Sequence, residues 1–158
     1  MSATLRTAHL IAFGVPAALL GGAYLSQYGF GLHPCEMCLW QRWPHFAALA
    51  FAALALVVPA RRWLLALAAG GMATSGLIGG YHAGIEYGWW DGLSACTTLM
   101  VPEGGNALDA IMEAPMIRCD QAPWSFLGIS LAGWNFLISL AAAATVAYLL
   151  ARSGNEKG

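Results

Sequence analysis

The sequence predicts an all-α membrane protein: a four-transmembrane-helix bundle with both termini cytoplasmic and a long second outer loop that carries a short amphipathic helix. Three observations carry that expectation. Charged residues are 9% of the 158 residues and hydrophobic ones 59%, whereas a soluble domain is roughly 25% charged. The apolar residues collect in four long stretches that contain no charge at all. The basic residues are unevenly shared between the two sides that four crossings define: Arg6, Arg61, Arg62, Arg152 and Lys157 fall on one side, Arg42 and Arg118 on the other. The richer side is the cytoplasmic one. So few charges cannot cover a soluble surface, which excludes a cytosolic domain and a disordered chain. A net charge of −1 leaves no basic patch for nucleic acid.

The elements follow in order along a single integral membrane domain, residues 1–158. Thr7 to Pro34, between Arg6 and Glu36, gives a first helix near 8–27. It is longer than the apolar core of a signal peptide, and nothing after Tyr28 reads as a soluble mature domain, so it is expected to stay as a span. Trp43 to Ala60, with a turn borrowed before Trp43, gives a second helix near 39–58. Trp63 to Ile85 gives a third near 63–85, and Gln121 to Ala151 a fourth near 130–151. Each reaches the length of about 20 residues that crosses the hydrocarbon. Only helices and closed barrels satisfy their backbone there, and these runs are too continuous for barrel strands, which alternate. The outer loop, about 86–129, contains a candidate helix at 106–115, with Asn106 as N-cap, Pro115 as stop, and Leu108, Ile111 and Met112 on its apolar edge. Trp40, Trp43, Trp89, Trp90 and Trp124 fall where an outer aromatic belt belongs.

All four cysteines fall on the outer side. Cys35 and Cys38 form a Cys-x-x-Cys at the mouth of the second helix, and Cys96 and Cys119 lie in the long loop. One reading is a pair of structural disulfides. It is the weaker one for Cys35 and Cys38, because so small a loop restrains little unfolded-chain entropy. Leu39 after Cys38 excludes haem attachment. A Cys₄ zinc site needs a second close pair, which Cys96 and Cys119 are not, so no metal is expected. Redox chemistry fits better. Pro34 precedes Cys35, and a helix beginning near Cys38 would stabilise a thiolate with its free N–H groups. Arg42 lies four residues after Cys38, on the same helix face, where it either lowers the thiol pKa or snorkels to the interface.

A dithiol that makes disulfides must hand two electrons onward. The chain has no dinucleotide fingerprint and no haem motif, so elimination leaves a lipid-soluble acceptor, a quinone. On the third helix, Gly76, Gly80, Gly84 and Gly88 form one bare stripe. It suits close helix packing, or a flat quinone ring at its outer end. His82 and Glu86 are four apart near that end. Two readings stand for them: quinone contacts that relay protons, or a snorkelling pair at the headgroups. His9, His33 and His45 show no metal spacing and read as interfacial or packed.

Two segments resemble a known family. Leu32-His-Pro-Cys-Glu-Met-Cys-Leu-Trp-Gln-Arg42 resembles the Pro-Cys-x-x-Cys-x-x-x-Arg signature of the DsbB family, bacterial membrane proteins that generate disulfides. Cys119-Asp-Gln-Ala-Pro-Trp-Ser-Phe-Leu-Gly128 resembles the Cys-x-x-x-x-Trp-x-Phe-Leu-Gly stretch after that family's last loop cysteine. The likeness runs from about 8 to 151. It implies a thiol:quinone oxidoreductase in the bacterial inner membrane, with the active cysteines on the periplasmic side and ubiquinone or menaquinone as cofactor. Cys96 would be attacked by the thiolate of a periplasmic DsbA-like thioredoxin-fold protein, with Cys119 its disulfide partner. Electrons would pass by exchange between Cys119 and Cys35, leaving Cys38 against the quinone, with Arg42 polarising the ring. The resting pairs would be Cys35–Cys38 and Cys96–Cys119. Two other classes compete: a structural or accessory four-helix protein with two inert disulfides, and a quinone reductase of the vitamin K epoxide reductase type. The latter places its Cys-x-x-Cys late in the bundle rather than before the second helix.

Overall fold

The computed structural model describes residues 2–92, 97–99 and 116–155. Four long helices make the body: α1 (Ala3–Gly29), α2 (Glu36–Leu54), α3 (Arg61–Glu86) and α4 (Leu131–Asn155). Two small antiparallel pairs lie between α3 and α4: β1 (Thr97–Leu99) with β2 (Met116–Arg118), and β3 (Ser125–Phe126) with β4 (Ile129–Ser130). The expected 106–115 helix lies outside the described residues. α3 is central, packed on both α2 and α4, and α1 closes the bundle against α4 and α2.

Three of the four helices, α1, α3 and α4, are long and apolar enough to cross a membrane. α2 is not, because Gln41, Arg42 and His45 interrupt its apolar run. Gln41 and His45 are 7% and 3% exposed, so these polar groups face the other helices. α2 also starts and stops earlier than expected, at Glu36 and Leu54 instead of 39 and 58. Pro34 keeps His33 out of the helical region, and Cys35 takes the N-cap with extended backbone. At the other end, Leu56 N and Val57 N donate to Ala53 O and Leu54 O at 3.0 and 3.1 Å. These i to i+3 bonds tighten the chain out of the helix.

α3 ends in a Schellman turn: Gly88 has φ +69°, its N–H donates to Ile85 O, and Trp89 N donates to Gly84 O at 2.8 Å. The β3–β4 hairpin turns through Leu127 (φ 53°) and Gly128 (φ 77°), the left-handed pair that a two-residue hairpin requires. Tyr87 ties these two features together. Its hydroxyl donates to Gly128 O (3.1 Å) and accepts from Ser130 N (3.0 Å). Ser130 Oγ then caps α4 by accepting from Gly133 N at 3.1 Å.

The core at one end of the bundle is built from small residues, among them Ala8, Ala12, Ala48, Ala52, Ala68 and Ala143. Small side chains let helices approach where lipid offers no hydrophobic drive. The glycine stripe of α3 serves the same end. A Cβ on Gly80 would lie 2.7 Å from the Phe136 ring, one on Gly76 3.1 Å from Leu140, and one on Gly84 2.0 Å from the Trp90 indole. At Gly76, Gly80 and Gly84 the stripe is filled by α4 and Trp90, as the packing reading expects.

Candidate redox site

A second cluster gathers Cys35, Met37, Ile85 and Cys119, with Cys38 and Ile117 against it. It forms where the N-terminus of α2, the last turn of α3 and the segment after β2 converge. The Cys35 backbone is extended (φ −73°, ψ 171°), which aims its sulfur back over the first turn. Sγ accepts from Cys38 N at 3.3 Å, a cap role usually held by Ser, Thr, Asp or Asn. The sequence placed that stabilised thiol at Cys38. Because the helix begins at Glu36, the capping sulfur is Cys35.

Cys35 and Cys38 are free thiols whose sulfurs touch at 2.9 Å. The pair is thus described in its dithiol form; the expected resting disulfide is that of the oxidised protein. The Cys35 thiol is pulled down to about 5, chiefly by the hydrogen bond from Cys38. Burial opposes this, and the hydrogen bond and charge of His82 add to it. Cys119 is disulfide-bonded; Cys96, its expected partner, lies outside the described residues. Cys35 Sγ, Cys119 Sγ and one ring nitrogen of His82 all lie within 4.8 Å of one another. A sulfur already in a disulfide offers no thiolate to a metal, but at this separation it is placed for thiol–disulfide exchange with Cys35.

His82 and Glu86 are buried within the protein and do not snorkel. Their side chains are each 2% exposed, with His82 Nε2 3.7 Å from Glu86 Oε1 and 3.5 Å from Cys35 Sγ. On the other side His82 Nδ1 meets Gln41 Nε2 at 3.0 Å. An amide nitrogen donates, so His82 Nδ1 accepts and its Nε2–H faces the Cys35 sulfur.

Cys38 also borders an open cavity of about 240 Å³ between α1, α2 and α4. Leu19, Leu20 and Trp134 are among its apolar lining, and Arg42, His45 and Asn135 among its polar groups. The Arg42 guanidinium is held by α1: Nη1 donates to Gln27 Oε1 at 2.7 Å and the group sits 4.9 Å above the Tyr24 ring. His82 and Glu86 do not line this cavity. His82 instead lines a second one, of about 290 Å³, with Cys35, Cys38 and Arg118. Cys38 thus stands on the wall between the two cavities.

Sequence reading missed the network that joins them. Gln41 Oε1 accepts from Asn135 Nδ2 at 2.8 Å, and Asn135 Nδ2 also reaches Ser75 O and Oγ. Ser75 Oγ donates to Gln41 O, while Asn135 Oδ1 accepts from Ser139 Oγ and meets His45 Nε2, both at 2.9 Å. The signal was present: Ser75, His45, Asn135 and Ser139 interrupt apolar runs, where polar groups are costly unless paired or used.

The comparisons with known proteins decide the family. The description "Disulfide bond formation protein DsbB" matches residues 5–149. The chain belongs to this family. Among its relatives, the disulfide bond formation protein B of Hahella chejuensis is 30% identical, with 94% of this chain and 95% of the relative covered. That of Azoarcus sp. is 32% identical over 92% of each, and that of Methylococcus capsulatus is 32% identical over 85% and 87%. No solved structure matches the chain. As a DsbB-family member the protein is a thiol:quinone oxidoreductase that generates disulfides. The accessory and vitamin K epoxide reductase-type readings fall with that finding.

Proposed function

We propose that this enzyme reoxidises a periplasmic DsbA-like thioredoxin-fold protein and passes the electrons to ubiquinone or menaquinone in the bacterial inner membrane, with both termini cytoplasmic. The observation that carries the reading is the division at the Cys-x-x-Cys. Cys35 Sγ lies within 4.8 Å of the disulfide-bonded Cys119, while Cys38 lines the cavity that holds Arg42.

The residues take these roles. Cys96 and Cys119 form the disulfide that accepts the partner's electrons. The β1–β2 ladder runs to the pair Thr97–Arg118, and the next residues in sequence are Cys96 and Cys119. The partner's thiolate attacks Cys96, and the Cys119 thiolate released attacks Cys35, from which Cys38 leaves. The partner's second thiolate then attacks the mixed disulfide at the partner's own sulfur, which closes the partner's disulfide and releases Cys96. Cys96 attacks Cys119 in the Cys119–Cys35 bond, and Cys35, a thiol of low pKa, leaves. A bound quinone supplies an acceptor of two electrons and two protons. The cavity fits such a group: its wall is mostly apolar, its mouth carries a sulfur, and Arg42 offers a charged donor to a ring carbonyl. In sum two thiols of the partner become a disulfide, and their two electrons and two protons leave with the reduced ring.

Quinone reduction by the purified protein, followed on adding a reduced DsbA-like thioredoxin, tests the reading. Stoichiometric loss of quinone and of partner thiols is expected. Thiol loss without quinone reduction would overturn it.

A further inference from the structure

We infer that His45 is a quinone-contacting residue, one that accepts a hydrogen bond from the reduced ring and not from the oxidised one. The inference deepens the proposed function and rests on the quinone occupying the cavity that Cys38 and Arg42 line.

His45 follows Arg42 by three positions and Cys38 by seven, so the three share one face of α2, and all three line the cavity. The imidazole is 3% exposed. Its Nε2 is 2.9 Å from Asn135 Oδ1 and 3.4 Å from Ser139 Oγ. Its Nδ1 has no hydrogen-bond partner among the described residues. Leaving a buried polar atom unpaired costs about 1–3 kcal/mol, so the vacancy calls for an explanation.

The network fixes what that nitrogen can do. Asn135 spends its amide hydrogens on Gln41 Oε1 and Ser75, so the atom facing His45 is the carbonyl oxygen, an acceptor. His45 must therefore carry its hydrogen on Nε2 and hold a lone pair on Nδ1. A lone pair has nothing to receive from a quinone carbonyl, which is itself an acceptor. It does have a partner once that oxygen becomes a hydroxyl. As Cys35 and Cys38 close to a disulfide, two electrons and two protons pass in sum from the thiols to the ring. One of the two hydroxyls so formed donates to Nδ1. Arg42 contributes the opposite preference, since its N–H donors already suit the oxidised carbonyl. Asn135, whose amide group is engaged with Gln41, Ser75, Ser139 and His45, acts on His45 as a positioning residue that sets its tautomer.

The test uses the full chain in a Cys38→Ala background, where no electrons move, and reads equilibrium binding. Titration calorimetry is run anaerobically with decylubiquinone and, separately, with decylubiquinol. His45→Gln keeps a donor toward Asn135 but loses the Nδ1 acceptor. It should weaken quinol binding about tenfold, the scale of one buried hydrogen bond, and leave quinone binding unchanged. His45→Asn restores an acceptor where Nδ1 was and should recover most of the quinol affinity. With Cys38 intact, His45→Gln should lower kcat while the quinone KM holds, as expected for a contact made only after the ground state. Unchanged quinol binding in His45→Gln, or an equal loss for both ring states, would overturn the inference. Arg42→Ala separates the two readings. If it leaves quinone affinity intact, the ring is not in this cavity and the proposed function of the site fails with the inference. If it weakens quinone while His45→Gln does nothing, only the inference fails.

Discussion

The two sides of the Cys-x-x-Cys differ in kind. On the Cys35 side a small apolar cluster of Met37, Ile85 and Ile117 holds the sulfur against reactive partners: the Cys38 thiol, His82 backed by Glu86, and the disulfide-bonded Cys119. On the Cys38 side the sulfur meets a mostly apolar cleft between α1, α2 and α4, with its polar groups spaced along α2 and α4. Helix geometry produces the difference. Cys35 precedes the helix and turns toward α3 and the loop, while Cys38 lies one turn later on the face toward α1 and α4. On the proposed reading, one four-residue motif presents one sulfur to protein thiols and the other to a lipid-soluble ring. What this teaches is that the two half-reactions should be separable by mutation.

The largest effect should come from the sulfurs. Cys119→Ser removes the thiol that links the loop to Cys35, so turnover should fall to background. Cys96, then a free thiol, should form a mixed disulfide with oxidised thioredoxin by attacking the partner's disulfide, and Cys119 is no longer there to resolve it from the enzyme side. Peptide mapping of the trapped adduct checks it. An adduct at Cys35 would reverse the order of the two sides.

Next is Arg42→Ala. Removing a charge-assisted bond worth roughly 1.5–3 kcal/mol should raise the quinone KM about tenfold or more. The initial exchange at Cys96 should be unaffected, because Arg42 is anchored to Gln27 and Tyr24 of α1, while Cys96 belongs to the loop after α3. Stopped-flow mixing with the reduced partner would show this. Equal loss of both steps would mean that Arg42 is a folding or anchoring residue.

How far the sequence revealed these two sides depends on the kind of residue. α1, α3 and α4 were legible because charge gaps of about 20 residues have one physical solution in lipid, and α2 was legible as a helix from its shorter charge gap. Cys35, Cys38 and Arg42 were legible because their chemistry is carried by local spacing. His82 was noticed for its distance from Glu86, yet its partner is Cys35, on another helix, and no spacing along one helix encodes that contact. His45, Gln41 and Asn135 escaped for the same reason. Each reads alone as a packed polar residue, and their meaning lies in the order of donors and acceptors across three helices. The start of α2 was misplaced by a turn because a cysteine is an unusual N-cap, although Pro34 marked the boundary.

His82→Gln should act on the exchange side alone, and by less. The Cys35 thiol, pulled down to about 5 mainly by Cys38 and in part by His82, is ionised above that pH and becomes protonated as the pH falls through it. Without His82 the midpoint should rise toward the ordinary value of about 8.5. A rise of half a pH unit changes the thiolate-to-thiol ratio about threefold at a given pH. The thiolate absorbance of the reduced protein at 240 nm, titrated from pH 4 to 9, reads the midpoint. The quinone KM should stay the same. A midpoint that does not move would show that Cys38 alone sets the thiolate.

The smallest effect should come from the residue that belongs to both sides. The Tyr87 hydroxyl donates to Gly128 O and accepts from Ser130 N. It thereby ties the end of α3, which carries His82 and Glu86, to the start of α4, which lines the cavity proposed for the quinone through Leu131, Trp134 and Asn135. Tyr87→Phe keeps the ring and removes both bonds. Each bond is worth about 0.5–1.5 kcal/mol net, and the hairpin is near the surface, where water can replace part of the loss. We expect a fall of a few degrees in the midpoint of thermal unfolding in detergent. The rates of partner exchange and of quinone reduction should fall by one common factor, about two to three, because a strut between two sites loosens both. A change confined to quinone reduction would assign the β3–β4 turn to the cavity alone. A change confined to exchange would assign it to the α3 end. Either outcome would replace the shared strut with two independently held sites.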